Sequence, residues 1–562
     1  MGRTRLFEKL QRIAARAVAE RRRLLDGEAP ILTRRQLTWG GAQLAAGALL
    51  AGCGSDSGRK SASDVRVAVI GAGLAGLHCA YRLQQAGVDV TVYEASSRVG
   101  GRVFTAREQD YGEQTFELGG ELIDSNHITM LSLADELGLT LTDRFTRGIQ
   151  NDVWFVAGEE VPEETIVEQF TAVAGVMAEA EEAADSDDEA FAELDQTPLS
   201  VWLEEHVPPA EYPELHAVLL AAYRGEFGLE PEQQSALNLL YLIGSDEPDP
   251  FRIFGESDER YHAREGSDAF ATRLHEKLAK GTVKLRSKLT RVQTADDGYW
   301  LRLTDGEDAI DVQYDHVVLA IPFSVLRNVE LDVPLSELKR QIIDELGYGT
   351  NAKVMGSFGS RVWREDHEKS GTVTCDLPLQ QLWDSSIGQP GERGILTNFL
   401  GGDAGVDVGD VDAEEYYTGI LADVEAIFPG AADAYRPGTA RRMHWPSYEH
   451  TLGSYTCYRP GQWAFYEQEG VREGNLHFCG EHTSVDFQGW MEGAAETGLL
   501  VASAIIEELG FEPSAEMSAI LAHKTRLPQP ARRRAGQQRL SLRGRRRALS
   551  RAAAARVIPA QR

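Results

Sequence analysis

The chain has 562 residues and an ordinary hydrophobic content of 42%, which is typical of a soluble globular protein with two domains or one large composite domain. Its charge is uneven: residues 1–53 and 523–562 are basic, whereas residues 54–522 hold 34 basic and 83 acidic side chains, a formal charge of −49. This acidic body argues against a nucleic-acid partner, because it repels phosphates, and it indicates a heavily hydrated surface or steering of cationic substrates.

The N-terminal segment TRRQLTWGGAQLAAGALLAGCG resembles an export signal. Arg34 and Arg35 precede a weakly apolar run, too short and too rich in glycine for a stable membrane span, and Cys53 ends the sequence LAGC. This order is similar to a twin-arginine signal with a lipoprotein box, which predicts a signal over residues 1–53, lipidation of Cys53 and a periplasmic or cell-envelope location. A cytoplasmic protein with an amphipathic N-terminal helix is the alternative.

Four further cysteines predict no metal site. No pair forms a CxxC motif, and no cluster of histidine and cysteine has the spacing of metal ligands. Buried thiols are the simpler interpretation, although an exported protein could pair two of them in a disulfide. The four are Cys79, Cys375, Cys457 and Cys479.

A strand–turn–helix–strand unit follows a polar linker over residues 54–64. In VRVAVIGAGLAGLHCAYRLQQAGVDVTVYEAS, apolar runs predict strands over Val65–Ile70 and Val88–Tyr93. Helical spacing between them predicts a helix over Leu74–Ala86 that ends at Gly87. This is the unit from which a Rossmann-like α/β domain is built.

The turn of this unit carries the glycine pattern of a dinucleotide site. Gly71, Gly73 and Gly76 form GxGxxG directly after a strand and at a helix start, and Glu94 follows 18 residues later at the end of the second strand. The glycines allow backbone N–H groups and the helix N-terminus to face a pyrophosphate, while the carboxylate accepts from a ribose. The pattern therefore predicts FAD or NAD.

The rest of the chain alternates between helical and strand-like segments. Periodicity predicts mostly helix over 125–260, with an acidic helix face or loop at 178–194, strands over 281–321 and 349–375, and a helix over 335–347. NLHFCGEH predicts a buried strand before a helix that begins in GWMEGA and continues to about Leu509. The basic chain beyond it predicts a disordered tail.

The residues after Glu94 decide between the two cofactors. EASSRVGGRVFT places a second glycine pair between two arginines, which an NAD-binding unit does not need, and FELGGELID follows. With VKLRSKLTRV, VVLAIP, GTNAKVMGSF, WPSYEHTLGSYTCYRPG and CGEHTS…GWMEGA, these motifs resemble, in order, the flavin-containing amine oxidases, which include monoamine, polyamine and L-amino-acid oxidases. The resemblance extends from about Val65 to Leu509.

The resemblance implies a two-domain α/β fold, with a Rossmann-like FAD-binding domain of the glutathione-reductase type and a substrate domain made of a mixed sheet and helices. The FAD-binding domain is expected from residues 65–125, 260–325 and 470–510, the substrate domain from a helical segment, 126–259, and a sheet segment, 326–469, and a basic tail from 511–562.

The resemblance also implies the residues that bind FAD. The first glycines hold the pyrophosphate, Glu94 the ribose, and two arginines the phosphates, while the GWMEGA backbone faces the flavin. Ser454 replaces the cysteine that bonds the flavin in mammalian monoamine oxidases, which predicts non-covalent FAD; Cys457 is a weak alternative linker. The implied set is Gly71, Gly73, Leu74, Ala75, Gly76, Glu94, Ala95, Arg98, Gly101, Arg102, Gly119, Gly120, Glu121, Leu289, Trp445, Gly480, Glu481, Trp490, Met491 and Ala494.

Three residues are implied to be catalytic. Lys353, in NAKVMGSF, matches a lysine that hydrogen-bonds a water near flavin N5, and a strand lysine that points to solvent is the alternative. Tyr455 and Trp490 match two aromatic rings that flank the substrate nitrogen, which suits an amine because ring faces attract it. Core packing is the alternative for each ring.

The substrate is less well determined. Leu122 occupies the place of an arginine that binds the substrate carboxylate in venom-type L-amino-acid oxidases, which weakens an amino-acid substrate. Asp124 matches an acid that lines the tunnel of some polyamine oxidases, although a turn or helix cap is the alternative. Arg224, in AAYRGEFG, is the candidate carboxylate-binding residue if the substrate is an amino acid.

The implied reaction is oxidation of a primary or secondary amine to an imine, which hydrolyses to an aldehyde, with O₂ reduced to H₂O₂. One alternative is an L-amino-acid oxidase, or a related monooxygenase, that forms a 2-oxo acid and ammonia. Another is an envelope flavoprotein dehydrogenase that passes electrons to a partner. The expected partners are a small amine or amino acid and O₂, and the oligomeric state stays open, a homodimer included.

Overall fold

The computed structural model describes residues 64–147, 149–245 and 248–526. The predicted signal, Cys53, nearly all of the linker and the chain beyond residue 526 lie outside this part. The described residues form these strands: β1 Arg66–Ile70, β2 Asp89–Tyr93, β3 Thr105–Ala106, β4 Phe116–Glu117, β5 Leu122–Ile123, β6 Leu141–Asp143, β7 Val153–Val156, β8 Glu159–Val161, β9 Tyr261–Ala263, β10 Val283–Lys284, β11 Lys288–Thr294, β12 Tyr299–Thr304, β13 Ala309–Tyr314, β14 His316–Leu319, β15 Glu330–Asp332, β16 Ala352–Phe358, β17 Val373–Cys375, β18 Gln381–Asp384, β19 Gly394–Leu400, β20 Arg441–His444 and β21 Leu476–Phe478.

Helices connect these strands. The α-helices span Leu74–Gln85, Ile128–Leu137, Arg144–Arg147, Glu163–Ser186, Asp188–Gln196, Leu199–His206, Pro213–Phe227, Ala236–Leu240, Asp268–Lys277, Phe323–Leu326, Glu337–Glu345, Val362–Glu365, Gly402–Asp407, Ala413–Ile427, Ala431–Ala434, Met491–Leu509 and Ala515–Arg526. Short 3₁₀ helices span Gln109–Tyr111, Pro231–Gln233, Val408–Asp410, Trp463–Phe465 and Glu481–Thr483. Within the described ranges, none of the helices is long and apolar enough to cross a membrane.

A five-stranded parallel sheet carries the glycine turn. Its order is β10-β2-β1-β14-β21, and every neighbouring pair is parallel. Parallel strands buried on both faces read as continuous apolar runs, and RVAVI in β1 and HVVL in β14 are of this type. The strands come from three stretches of the chain far apart in sequence, and helices Leu74–Gln85 and Met491–Leu509 pack against each other beside them. The α/β prediction is confirmed.

A second, seven-stranded sheet has the order β20-β16-β19-β18-β17-β7-β8. It is mixed, because β7 and β17 pair in parallel while its other pairs are antiparallel. Its interior strand β16, second in this order, is buried along its whole length. The helices between residues 163 and 240 share a separate apolar core that contains Phe170, Trp202 and Tyr223. This arrangement is the mixed sheet with helices that the sequence predicts.

The acidic stretch at 178–194, predicted as a helix face or a loop, lies on two helices, and the Asp187 carboxylate caps the second by accepting from the backbone N–H groups of Glu189 and Ala190. Two local predictions need correction. The strand predicted over 349–375 is interrupted by helix Val362–Glu365. Residues 515–526, predicted as part of the disordered tail, form a helix.

The helix Ala515–Arg526 has only a weak apolar pattern because few of its residues are buried. This explains why the sequence does not clearly predict it as a helix. Met517 and Ile520, one turn apart, are buried in the same core as the helix Met491–Leu509. Lys524 donates to the carboxylates of Glu492 and Glu496 on that helix. The tail predicted from residue 511 therefore begins no earlier than the end of this helix.

All four cysteines in the described residues are buried free thiols, so no disulfide joins them. They are Cys79, Cys375, Cys457 and Cys479.

Candidate active site

A cavity of about 480 Å³ begins at the carboxyl ends of four strands of the parallel sheet. Gly71 follows β1, Glu94 follows β2, Ala320 follows β14, and Gly480 lies two residues after β21; all four residues line the cavity. Open α/β sheets bind ligands at this edge, because loops and helix N-termini converge there. From this edge the cavity extends to the mixed sheet, where Lys353, Trp383 and Phe399 line it.

In the first glycine turn, Gly71 and Gly76 leave no room for a side chain, whereas Gly73 borders open space. Gly71 has φ +105°, and a Cβ there would lie 2.7 Å from the Ala320 carbonyl oxygen. A Cβ on Gly76 would lie 2.0 Å from the Gly71 oxygen, so Gly76 permits close packing and does not line the cavity. A Cβ on Gly73 would meet no protein atom within 4 Å. Gly73 precedes helix Leu74–Gln85 without a side-chain cap, which leaves the N–H groups of the first turn for a ligand.

The side chain of Glu94 is held in place by hydrogen bonds to the backbone on either side of it in the cavity wall. Its two carboxylate oxygens accept from the N–H groups of Ala72 and Ser96, each at 2.7 Å. Ala95 and Leu289 line the cavity beside it. A carboxylate oxygen has two lone pairs, so these bonds orient Glu94 and leave acceptor capacity for a ribose hydroxyl.

The second glycine turn lies on the first. The Gly100 N–H donates to the Ala72 carbonyl oxygen at 2.8 Å, and a Cβ on Gly101 would lie 3.3 Å from the Cα of Gly73. Arg98 donates to the Gly101 carbonyl oxygen at 2.6 Å and, within the described residues, meets no carboxylate. Its charge is therefore available for a phosphate.

Arg102, the second arginine predicted to bind phosphate, is already paired with a carboxylate. Its guanidinium donates to the Glu481 carboxylate at 2.7 Å and to the Ser454 carbonyl oxygen at 2.8 Å. Although burial, the largest single influence, raises the pKa of Glu481, Arg102, His482 and the Gly489 N–H together outweigh it and lower that pKa. Glu481 also accepts from the Gly489 N–H at 2.8 Å. The pair thus fixes the start of the GWMEGA segment, and phosphate neutralisation by Arg102, predicted from the sequence, is the weaker assignment.

Small residues bring backbone segments together in the middle of the cavity. A Cβ on Gly119 would lie 1.9 Å from the Arg102 carbonyl oxygen, and one on Gly120 would lie 2.9 Å from Met491 Cγ. Trp445 donates from Nε1 to the Leu118 carbonyl oxygen at 3.1 Å. Met491 begins the helix Met491–Leu509, which has no side-chain cap, so its first N–H groups and positive dipole end face the cavity beside Ala494.

Lys353 is buried and has three protein acceptors. Its ammonium donates to the Gly119 carbonyl oxygen at 2.8 Å, to Glu121 Oε2 at 3.0 Å and to the Glu117 carbonyl oxygen at 3.2 Å. Nζ lies 4.9 Å from the centre of the Trp383 ring. An ammonium has three donors, so all are in use, and a water at Lys353 would have to replace one of these bonds. The prediction that this lysine points into the site, and not to solvent, agrees with its burial.

Glu121 is the anionic partner of Lys353. Besides the lysine, it accepts from Trp383 Nε1 at 3.1 Å and from Ser385 Oγ at 3.0 Å. Burial raises the pKa of Glu121, but Lys353 and His262 outweigh burial and lower it. Glu121 lines the cavity as predicted, but its contacts make it a support for Lys353 as well as a candidate cofactor contact.

Tyr455 and Trp490 come together on the cavity wall from two separate loops. The Tyr455 hydroxyl donates to the Gly225 carbonyl oxygen at 3.1 Å, and burial raises the pKa of this tyrosine well above its ordinary value, so it is a neutral phenol. The Trp490 ring packs edge-on against His127 with centroids 5.4 Å apart. Both rings are half-buried because one side of each faces the cavity.

The two tentative substrate residues do not line the cavity. Asp124 is buried, accepts from the Glu259 N–H at 2.8 Å and lies 3.3 Å from His127 Nε2, so it has the structural role that was the alternative. Arg224 pairs with Glu230 at 2.7 Å. In AAYRGEFG, Glu226 lines the cavity and Arg224 does not. Residues two positions apart on a helix point to different faces, which explains why only one of them faces the cavity.

Charged residues that were not predicted from the sequence also line the cavity, among them Arg144, Glu226 and Glu259. Arg144 donates to the Glu259 carbonyl oxygen at 3.0 Å. Burial, followed by Glu259 and Asp124, raises the pKa of Glu226 to about 8, and burial raises that of Glu259. Arg144 and Glu259 lie in stretches without a motif; for Glu226, the helical spacing from Arg224 was the available signal.

The residues fit FAD. Except for Gly76, every residue of the implied cofactor set lines the one cavity, together with Lys353 and Tyr455. Within it, the open space at Gly73 and the free charge of Arg98 suit a pyrophosphate, and the glycines at 119 and 120 clear the wall near Trp445 for a planar ring. The uncapped start of Met491–Leu509 would offer N–H groups and a positive dipole end to the flavin, which could stabilise negative charge on it.

Comparisons with known proteins agree with this geometry. The flavin-dependent L-tryptophan oxidase RebO of Lentzea aerocolonigenes is 27% identical over 485 residues, which cover 78% of this chain and 98% of that protein. The L-amino-acid oxidase of Siganus canaliculatus is 25% identical over 457 residues, 78% of this chain and 85% of that one. The solved structure of cyclohexylamine oxidase from Brevibacterium oxydans has the same fold, with a TM-score of 0.68 at 24% identity over 80% of this chain and all of that one.

The family described as flavin-containing amine oxidoreductase matches residues 74–506, which include the second glycine turn, Lys353, Tyr455 and the GWMEGA helix start. FAD is therefore the cofactor, and the protein is an enzyme. The chain belongs to the flavin-containing amine oxidoreductase family.

Proposed function

We propose that the enzyme oxidises the C–N bond of a small primary or secondary amine and delivers the electrons to O₂. The amine loses two electrons and two protons to become an imine, and water hydrolyses the imine to a carbonyl compound with release of ammonia or, from a secondary amine, of the smaller amine. O₂ takes up the two electrons and two protons and becomes H₂O₂. Bound FAD supplies the two-electron acceptor for the amine and the donor for O₂. The observation that carries the proposal is that Lys353, Tyr455 and Trp490 line the same cavity as the glycine turns.

The side chains of the site would orient the amine. Tyr455 is fixed through its hydroxyl to the Gly225 carbonyl oxygen and Trp490 by packing on His127, so both rings are held before the substrate binds. Such pre-organisation lowers the entropy lost on reaching a reactive geometry. The aromatic faces attract an ammonium or amine, and Trp383 and Phe399, whose centroids are 5.2 Å apart, close the cavity on the side of the mixed sheet.

The experiment is to purify the full chain, record its flavin absorbance and measure H₂O₂ with monoamines, diamines, polyamines and L-amino acids. We expect peroxide in proportion to the substrate consumed. Reduction of an artificial dye without peroxide would favour the flavoprotein dehydrogenase instead. Because Ser454 is a serine, we also propose that FAD is non-covalent, so that acid precipitation should release all the flavin into solution.

An L-amino acid is the second candidate substrate, and Arg144 is the observation that favours it. This guanidinium lines the cavity and, among the described residues, forms no ion pair within 4 Å. An arginine in this state can bind a carboxylate in bidentate fashion. If the enzyme acts on amino acids, Arg144→Gln should raise KM for them much more than for the matching decarboxylated amines, whereas Arg224→Gln should change neither.

We also propose that the protein is exported by the twin-arginine route and anchored through Cys53. The order of Arg34, Arg35, the weakly apolar run and Cys53 supports this. Membrane fractionation with mass spectrometry of the N-terminus tests it: we expect a lipidated Cys53, and a Cys53→Ser chain recovered without the lipid. An unmodified, uncut N-terminus would contradict it.

A further inference from the structure

Two carboxylates face the substrate end of the cavity without a bound partner. Glu226 and Glu259 both line the wall, and in the described part of the chain neither carboxylate forms an ion pair or a hydrogen bond. Arg144 acts electrostatically on Glu259 and lowers its pKa against the effect of burial, so Glu259 is partly compensated. Glu226 has only acids, Glu259 and Asp124, among the charges that shift its pKa.

The local structure at both residues is unfavourable, which points to a role outside folding. Glu226 lies in the last turn of helix Pro213–Phe227, where the negative end of the helix dipole disfavours a carboxylate. Glu259 has φ +44°, a left-handed conformation that a non-glycine residue rarely adopts. Unfavourable conformations and charges of this kind persist mainly where a ligand needs them.

Glu226 is also next to the amine-binding rings. The carbonyl oxygen of the preceding residue, Gly225, accepts from the Tyr455 hydroxyl at 3.1 Å. After burial, Glu226 is the largest influence that raises the pKa of Tyr455, as expected for the residue that follows the carbonyl group bound by the phenol. A ligand whose reacting nitrogen lies against Tyr455 would therefore bring its remaining atoms toward Glu226.

We propose that Glu226 determines specificity by binding a second cationic group of the substrate. The preferred substrates would then carry two positive charges, as diamines or L-amino acids with a basic side chain do. The inference rests on the proposed function, because it assigns the substrate class of the same cavity. Glu259 adds to the negative potential, and Arg144 limits it so that the site does not hold two uncompensated anions.

The pH dependence of selectivity is part of the test. The charged or titratable groups around Glu226 are Glu259, Asp124, Tyr455 and, beyond Glu259, Arg144. Because the pKa of Glu226 is about 8, its carboxyl group is mostly protonated at neutral pH and ionises as pH rises. The preference for a dication over the matching monocation should therefore increase between pH 7 and pH 9, and this increase should vanish in Glu226→Gln.

The experiment uses two substrate pairs that differ mainly in the second cation: 1,4-diaminobutane with 1-aminobutane, and L-lysine with L-norleucine. One pair reports on amines and the other on amino acids. We expect the holoenzyme to prefer the dication, and Glu226→Gln to lower kcat/KM for the dication about 10- to 100-fold, with little change for the monocation. Glu232→Gln, an exposed acid on the next 3₁₀ helix, is the matched control and should change neither.

A second readout does not depend on turnover. A bis-quaternary butane-1,4-diammonium compound, which has no N–H, should raise Tm more than butyltrimethylammonium does, and Glu226→Gln should remove the difference. Equal kcat/KM within both pairs, or a preference that survives Glu226→Gln in a variant with normal FAD content, would overturn the inference. A chain that oxidises no amine would contradict the proposed function instead, and the Tm comparison would still decide whether Glu226 binds a dication.

Discussion

The two ends of the cavity treat buried acids in opposite ways. Among the predicted cofactor residues, Glu481 pairs with Arg102 and Glu121 with Lys353, and these cations help to lower the pKa of each acid although burial acts to raise it. At the substrate end, Glu226 has no cationic partner in the described residues, and burial and neighbouring acids raise its pKa to about 8.

The difference indicates a division of roles. A buried charge whose partner is always present belongs to the scaffold, because removing either partner leaves an uncompensated charge. A buried charge with no partner is stabilised when a ligand brings one, and such groups cluster at functional sites. The cofactor end is therefore expected to depend on fixed pairs and backbone shape, and the substrate end on the ligand.

The largest expected effect comes from the backbone of the cofactor end. Gly71→Ala would place a Cβ at φ +105° and 2.7 Å from a carbonyl oxygen, so the turn must shift. We expect loss of nearly all bound FAD, measured by flavin absorbance relative to protein. Gly306→Ala is the control, since Gly306 has a similar φ of +103° but no protein atom within 4 Å of the added Cβ. Full flavin content in Gly71→Ala would contradict the assignment of this turn.

The next largest effect should come from breaking a fixed pair. Lys353→Met removes the cation beside Glu121 and leaves a buried carboxylate, both side chains being only 6–7% exposed. We expect the free energy of unfolding to fall by about 3 to 5 kcal/mol, measured by denaturant unfolding, because breaking a buried pair costs this much. The double variant Lys353→Met/Glu121→Gln should recover part of the loss. No recovery would mean that the ammonium's bonds to carbonyl oxygens, and not the ion pair, stabilise this region.

The pH dependence of stability should separate the two kinds of acid. A lowered pKa, as at Glu121 and Glu481, stabilises the fold above the ordinary value, and this stability is lost as pH falls through the folded-state pKa. A raised pKa acts with the opposite sign. Glu226 and Asp124, with pKa values of about 8 and 7, stabilise at low pH, and this contribution is lost as pH rises from their ordinary values to 7–8.

We therefore expect the Tm of the FAD-free protein to decrease between pH 5 and pH 8. Asp124→Asn/Glu226→Gln should reduce this slope without abolishing it, because buried Asp195 and Glu469 also have pKa values of about 7. An unchanged slope in the double variant would show that the substrate-end acids do not titrate with raised pKa values.

The smallest effect is expected outside the cavity. The side chains of Arg224 and Glu230 are 28% and 20% exposed, so solvent screens this ion pair. Arg224→Ala should therefore lower the free energy of unfolding by no more than about 1 kcal/mol. It should leave kcat/KM unchanged within about twofold. If Arg224→Ala raised KM strongly for one class of substrate, Arg224 would have to be part of the substrate-binding site.

The cofactor end could be predicted from the sequence because backbone geometry leaves a local signature. Gly71 and Gly73 are glycines for steric reasons that act within one turn, and the strand before and the helix after them follow from periodicity. The same holds for the GWMEGA helix start. Gly76 was assigned to the cofactor, whereas it serves the packing of the helix on the turn.

The substrate end could not be predicted in the same way, because its residues come from segments that meet only in the folded chain. Arg144 lies 82 positions from Glu226 in sequence, and neither belongs to a motif. Asp124 and Arg224 stand in conspicuous stretches of the sequence, but Asp124 lies in a buried turn and Arg224 pairs with Glu230. A charged residue in a motif therefore indicates which segment lies near the site, but not which side chain of that segment faces the cavity.

The most direct measurement is rapid mixing of the anaerobic holoenzyme with amines and amino acids while flavin absorbance is recorded. We predict bleaching by at least one class of amine, recovery of the absorbance on admission of O₂ with formation of H₂O₂, and much slower bleaching in Trp490→Ala at unchanged FAD content. Absence of bleaching by every amine and amino acid tested, or a full rate in Trp490→Ala, would contradict this prediction.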